Sequence, residues 1–234
     1  MQAIIMAAGF GSRIAKITGG LPKSFLEING EKLIERAVRL LRERNITDIT
    51  VVTGYKAETI VELLDKDIKF VNNPLYFCTN VLGSFACGMD NLNDDFIFIH
   101  ADTIFEETIL DDLIASNEAD ILLPVDFKQC VEEDMKVITE NGMLKTIHKT
   151  ISLDDAEGEF IGVARLNQSV LEKLKSATVE ELKEKSSHQE YFEAAIQNLV
   201  DSGEVAKCIA TDGRPWKEID FESDYLTAVK LFSM

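Results

Sequence analysis

Ala7-Ala8-Gly9-Phe10-Gly11-Ser12-Arg13, followed by Pro22-Lys23, is the stretch from which the chain is best read. It comes directly off the apolar run Ala3 to Met6, which has the character of a buried parallel strand. Gly9 and Gly11 let the backbone turn tightly and approach a ligand without interference from a Cβ atom. Successive N–H groups in such a turn form a concave anion site, to which Ala7, Ala8, Gly9, Gly11 and Ser12 would all contribute. Arg13 and Lys23 add two cations that can stand over the same phosphates. A Gly-x-Gly after a strand is by itself a weak signal, and an ordinary glycine turn explains it equally well.

Two familiar phosphate loops are excluded. The dinucleotide fingerprint needs glycine or alanine three residues after its second glycine, and that position is Ile14. A Walker A loop would close on Gly-Lys-Ser/Thr, which is absent. The longer spacing, with Pro22-Lys23 placing the lysine ten residues after Arg13, is far more specific.

Outward from the loop the chain alternates. Leu33, Ile34, Ala37, Leu40 and Leu41 recur at helical spacing, predicting a helix over 31–44. Strands are predicted over 48–53 and 69–71, with a helix over 57–64 between them. Right-handed crossovers and a parallel sheet follow. Asn72-Asn73-Pro74 opens a polar, aromatic loop before a helix over 81–89. The next buried strand, 95–100, ends at Ala101-Asp102, the carboxyl edge where open α/β sheets bind ligands. A helix over 108–116 and a strand over 120–125 follow. Glu140-Asn141-Gly142, flanked by strands over 135–139 and 143–148, signals a hairpin. Later elements are a strand over 160–166, a helix from Ser169 to Lys175, a polar, charged stretch over 176–187 expected to be helix and loop with little core, a helix from His188 to Ser202, a strand over 206–210 and a last helix over 223–232. No repeat or linker divides residues 1–234, so one domain is expected: a Rossmann-like α/β fold with a mixed, mainly parallel sheet flanked by helices and a late β-hairpin extension.

The chain has 234 residues, of which 46% are apolar and 28% charged, an ordinary globular composition. It is long enough to bury roughly 70–75% of its unfolded surface. The formal net charge of −17 argues against nucleic acid as a partner. Cys78, Cys87, Cys130 and Cys208 have no metal-ligand spacing and read as reduced core thiols. No signal peptide and no membrane span are apparent, so a cytoplasmic protein is expected. Self-association into a homo-oligomer is left open.

Asp102 and Asp220 each stand where a strand ends. Two such carboxylates can hold a hard divalent cation, although on spacing alone a turn or N-cap role is favoured. Arg13 and Lys23 can neutralise phosphate charge or lie on the surface. Lys149, after the hairpin, reads on its own as a solvated lysine. Asn80 and Ser84 can read a base edge or cap a helix. His100, His148 and His188 are scattered and receive no catalytic role.

The first loop, with Asn80 and Ser84, Ala101-Asp102, Glu159-Phe160-Ile161-Gly162 and Trp216-Lys217-Glu218-Ile219-Asp220, resembles the nucleotidyltransferases that activate sugar phosphates and small phosphorylated alcohols. Within them it looks most like the small bacterial cytidylyltransferases acting on phosphocholine or on phosphonates. The resemblance implies a nucleotide-diphospho-sugar transferase fold and a magnesium-dependent transfer of CMP from CTP to a small phosphorylated or phosphonate acceptor, with release of pyrophosphate. It implies Mg2+ on Asp102 and Asp220, triphosphate on Arg13 and Lys23, and acceptor phosphate at Lys149. The alternatives are a sugar-1-phosphate nucleotidyltransferase, a non-catalytic nucleotide-binding regulator, and an interaction protein that keeps the fold alone. An amine-bearing acceptor is expected above phosphocholine, and both above glucose-1-phosphate, because aromatic cage residues are few and Asp126, Glu132, Glu133 and Asp134 could pair an amine from a lid.

Overall fold

In the computed structural model, which describes residues 1–183 and 189–233, the opening apolar run is strand β1 (Gln2–Ala7), buried at every position. Ile4 and Met6 face one apolar cluster, and Ala3, Ile5 and Ala7 face another. This two-sided burial is why the run shows no polar alternation. After the glycine turn, β2 (Glu27–Ile28) and β3 (Glu31–Lys32) form a small hairpin. Asn29 and Gly30, at φ 54 and 79, supply the left-handed turn it needs. Next come α1 (Leu33–Glu43), β4 (Asp48–Thr53), α2 (Ala57–Leu63), β5 (Lys69–Asn72), α3 (Val81–Gly88), β6 (Phe96–His100), β7 (Thr103–Phe105), α4 (Thr108–Ala115) and β8 (Ile121–Asp126). The second half holds β9 (Lys136–Glu140), β10 (Met143–His148), β11 (Gly158–Phe160), β12 (Val163–Leu166), α5 (Gln168–Lys183), α6 (Phe192–Asp201), β13 (Ala206–Ala210), β14 (Trp216–Glu218) and α7 (Glu222–Phe232).

Ten strands form one sheet in the order β11-β9-β10-β13-β8-β12-β6-β1-β4-β5. β6, β1, β4 and β5 are parallel. β12 runs antiparallel between β6 and β8 and so joins the two halves of the chain. β11 pairs with both β9 and β8, and strands β8, β13, β10, β9 and β11 thereby close into a ring. α1 and α4 cover one face of the sheet, and α3, α5 and α6 cover the other. On the second face Phe98 stacks on Phe192 at 3.9 Å, and Phe85 meets Phe192 edge-on at 4.8 Å. Each buried ring contributes about 1.5–3 kcal/mol. The arrangement is the expected mixed α/β sheet with helices on both faces, but only the β6-β1-β4-β5 half and the β13–β8 pair are parallel, and the strands of the second half otherwise pair antiparallel.

Several boundaries differ from expectation. The helix expected over 169–175 runs on without a break to Lys183, and the stretch expected to hold little core contributes Ala177 and Thr178 to it. The strand predicted over 160–166 is broken at Ile161-Gly162, where Gly162 takes φ +79 and packs against His100 and Thr103. His188 and the 184–187 part of the charged stretch lie outside the described residues, and the helix expected from His188 begins at Phe192. All four cysteines are free, but Cys78 and Cys87 are at the surface rather than in the core. No helix among the described residues is long and apolar enough to cross a membrane.

Candidate active site

β1, β4 and β6 end side by side, with Ala7 opposite Thr53 and Met6 opposite His100. The segments leaving them build the floor of a cleft of about 370 Å³. The glycine loop is fixed from β4: the Tyr55 N–H donates to the Ala8 carbonyl at 3.0 Å. That approach requires Gly54, since a Cβ there would stand 2.6 Å from the same carbonyl oxygen and 2.7 Å from the Tyr76 Cβ. Gly11 has φ +61, and a Cβ on it would lie 2.5 Å from the Lys23 Cγ. The second glycine of the motif thus makes room for the lysine that follows it.

The cation and the two aspartates meet here. The Lys23 Nζ donates to Asp102 Oδ2 at 3.3 Å and also to Asp220 Oδ1. Arg13 Nη1 donates to Asp220 Oδ2 at 3.3 Å, and its guanidinium lies 5.2 Å from the centre of the Phe221 ring. Burial alone would lower the Lys23 pKa, but the charges of Asp102 and Asp220 outweigh it and hold it above the ordinary lysine value. Asp220 is lowered: its burial works the other way, and Lys23 and then Arg13 overcome it.

Asp220 reaches Asp102 through strand pairing. β14 lies antiparallel to β7, with Glu218 opposite Thr103, and the Ile219 N–H donates to the Asp102 carbonyl at 3.0 Å. Asp224 then fixes the exit by accepting from the N–H groups of Asp220 and Phe221 at 3.1 and 2.8 Å. The same pairing brings in two groups to which the sequence reading gave no role of their own. Ligand atoms of His100, Asp102 and Glu218 all lie within 4.8 Å of one another. Burial, then the nearby Asp102 and Asp220, push the Glu218 carboxyl up to about 8. Among the described residues, the buried His100 Nε2 has no hydrogen-bond partner. Three hard carboxylates crowded together, with an orphaned ring nitrogen beside them, fit a divalent cation. The available signal was position: His100 ends β6 two residues before Asp102, and Glu218 ends β14 two residues before Asp220.

Ala7, Ala8, Gly9, Gly11, Ser12, Arg13, Lys23, Asn80, Ser84, Asp102, Lys149 and Asp220 all line this one cleft. Asn80 caps α3: its Oδ1 accepts from the Val81 N–H at 2.9 Å, and its Nδ2 donates to the Gln189 carbonyl at 3.0 Å. Ser84 is buried and accepts from Asn73 Nδ2 at 3.0 Å. Lys149 Nζ lies 4.8 Å from the centre of the Tyr191 ring. Of the four loop acids, Glu133 alone lines the cleft. Asp126 accepts from Trp216 Nε1 at 3.1 Å, and Asp134 accepts from the Val131 N–H at 2.9 Å.

The chain is 29% identical over 249 aligned positions to the CTP:phosphoglutamine cytidylyltransferase of Campylobacter jejuni, covering 96% of this chain and 97% of the relative. It is 40% identical over 110 residues to the choline-phosphate cytidylyltransferase of Haemophilus influenzae, an alignment spanning 47% of each. The solved CTP:phosphocholine cytidylyltransferase of Streptococcus pneumoniae superposes with a TM-score of 0.81 over 99% of both chains, at 22% identity, a likeness of fold. Residues 3–190 match the MobA-like NTP transferase domain, and the chain belongs to that family of nucleotidyltransferases.

Proposed function

We propose that the chain transfers a cytidylyl group from CTP to the phosphate or phosphonate oxygen of a small acceptor and releases pyrophosphate. The observation that carries this reading is the convergence of Arg13, Lys23, Asp102 and Asp220 at the mouth of the glycine loop. An anionic acceptor oxygen attacks the α-phosphorus, the bond from that phosphorus to the bridging oxygen breaks, and the electron pair leaves with pyrophosphate. The nucleophile already carries its charge, so no side chain has to remove a proton. What the protein supplies is alignment and charge stabilisation.

The N–H groups of 8–12 and the cations of Arg13 and Lys23 would hold the triphosphate. Lys149 would meet the acceptor phosphate, and Asn80 and Ser84 stand where the base would lie. Asp102, Glu218 and Asp220 would hold Mg2+, which when bound neutralises phosphate charge and aligns the reacting oxygens. Lys23 is the counter-charge to the same aspartates in the free chain and would turn to phosphate when the cleft fills. The choice of CTP is supported by the cytidylyltransferase relatives, including one aligned along almost the whole chain.

The test is a pyrophosphate-release screen crossing four nucleoside triphosphates with a panel of phosphomonoesters and phosphonates. CTP with a small acceptor should give the highest kcat/KM, and Asp102→Asn and Asp220→Asn should each abolish it. A purine triphosphate with glucose-1-phosphate as the best pair would overturn both halves of the proposal.

A further inference from the structure

Glu193 is the second residue of α6, and its side chain lines the acceptor side of the cleft beside Tyr191 and Lys149. It is 2% exposed, and among the described residues its Oε2 has no hydrogen-bond partner. A buried carboxylate oxygen left alone is costly, and native proteins keep few of them. Burial pushes the Glu193 carboxyl pKa up, and a cation facing it from the cleft would offset that cost. The position is also rigid. Phe192, the preceding residue, is locked by its stacking on Phe98 and its edge contact with Phe85. The side chain is therefore held where it is by the core.

His100 Nε2, on the cleft lining, and Thr103 Oγ1 are likewise buried without a hydrogen-bond partner among the described residues, and Gly162 approaches both residues closely. The opposite charge is close by: Lys149 stands over the Tyr191 ring, two residues before Glu193. One wall of the cleft thus presents a cation and an unpaired carboxylate. Such a wall suits a dipolar molecule, with its anionic end toward Lys149 and its cationic end toward Glu193. A carboxylate oxygen with an open lone pair calls for an N–H donor. A quaternary ammonium has none, and the Tyr191 face that could have received one already lies under Lys149.

We propose that Glu193 selects the acceptor by pairing the primary ammonium of a short aminoalkyl phosphate or phosphonate. This rests on the transferase reading above, and names the residue that discriminates among its acceptors.

The test is calorimetric binding of 2-aminoethylphosphonate and of ethylphosphonate, which lacks the amine, to the full chain. Magnesium and α,β-methylene-CTP, which cannot transfer its nucleotide, would be present. The wild-type chain should bind the amine compound roughly ten- to a hundredfold more tightly. Glu193→Gln should bring that ratio close to one, and Glu193→Asp should restore part of it. The melting temperature of Glu193→Gln should be no lower than wild type, because an amide is cheaper to bury than an unpartnered carboxylate. A wild-type ratio near one, an undiminished ratio in Glu193→Gln, or no measurable binding of either compound would overturn the assignment. The transferase reading fails separately: no pyrophosphate release from CTP with any acceptor would overturn it, while a Glu193-dependent binding ratio would still stand.

Discussion

Gly11 holds φ +61, and the Cγ of Lys23 lies where its missing side chain would begin. Gly11→Ala would strain the backbone and push the lysine stem aside. The expected result is a fall in kcat of about a hundred- to a thousandfold, the scale of one lost electrostatic donor. Lys23→Met should reproduce it. A defect confined to the KM for CTP in both variants would make Lys23 a ground-state binder. Glu218 offers a pH test at the same scale. Its folded pKa, about 8, lies above the ordinary value of 4.5. Between those values the folded chain holds the extra proton, so its contribution to stability is complete below the lower value and is lost as pH rises through the upper one. Asp220 is shifted the other way, and its contribution is lost only on acidification through its lowered pKa. Lys23 is raised, so its contribution persists through this window and fails only in strong alkali. Without divalent cation, the melting temperature should therefore fall from pH 5 to pH 8, and less steeply in Glu218→Gln. Parallel curves would remove Glu218 as the source.

Elements with strong periodicity were legible from sequence. β4 and β10 begin and end as predicted, and the Asn141-Gly142 turn has the two positive φ values its residues imply. The glycine loop was legible as well, whereas spacing alone favoured a turn or N-cap role for the two aspartates that the fold brings to Lys23. β7 was not legible, because a three-residue strand has no period to read and exists through its pairing with β14. Glu193 was hidden for a similar reason: on α6 it looks like a surface acid, and only packing of Phe192 places it inside. Lys136 was equally opaque. It is fully buried in β9, and its Nζ donates to the carbonyls of Glu132, Asp134 and Lys149 at 2.8, 3.4 and 2.6 Å. One ammonium thus ties the acidic loop to the backbone that carries Lys149. Lys136→Met would leave three carbonyls unpaired, at about 1 kcal/mol or more each. The melting temperature should drop, and the KM for the acceptor should rise several times more than the KM for CTP. Equal rises in both would show that the tie supports the cleft as a whole.

Across the molecule, the connectivity argues for one folding unit over residues 1–234. β12, from the second half, is the strand through which β6 reaches β8, so neither half completes its sheet without the other. A third apolar cluster reinforces this. Ile14 after the glycine loop, Leu26 and Ile28 before α1, Ile104 in β7, and Ile219 and Ala228 near the C-terminal end pack together. The glycine loop is therefore clamped from below by α7, beside the contact between Asp220 and Lys23. Separate early and late domains would instead leave the ring of β8, β13, β10, β9 and β11 free to melt on its own. The chain's one tryptophan, Trp216, distinguishes these cases because it sits on β14, bonds to Asp126 at the end of β8 and packs against the core under β1 and β6. Its fluorescence reports the junction between the halves, whereas far-UV circular dichroism reports all helices and strands. If the chain is one cooperative unit, the two melting curves should superimpose and the calorimetric and van't Hoff enthalpies should agree. A fluorescence transition displaced from the dichroism curve would show that the junction opens separately, and the late strands would then count as a second unit.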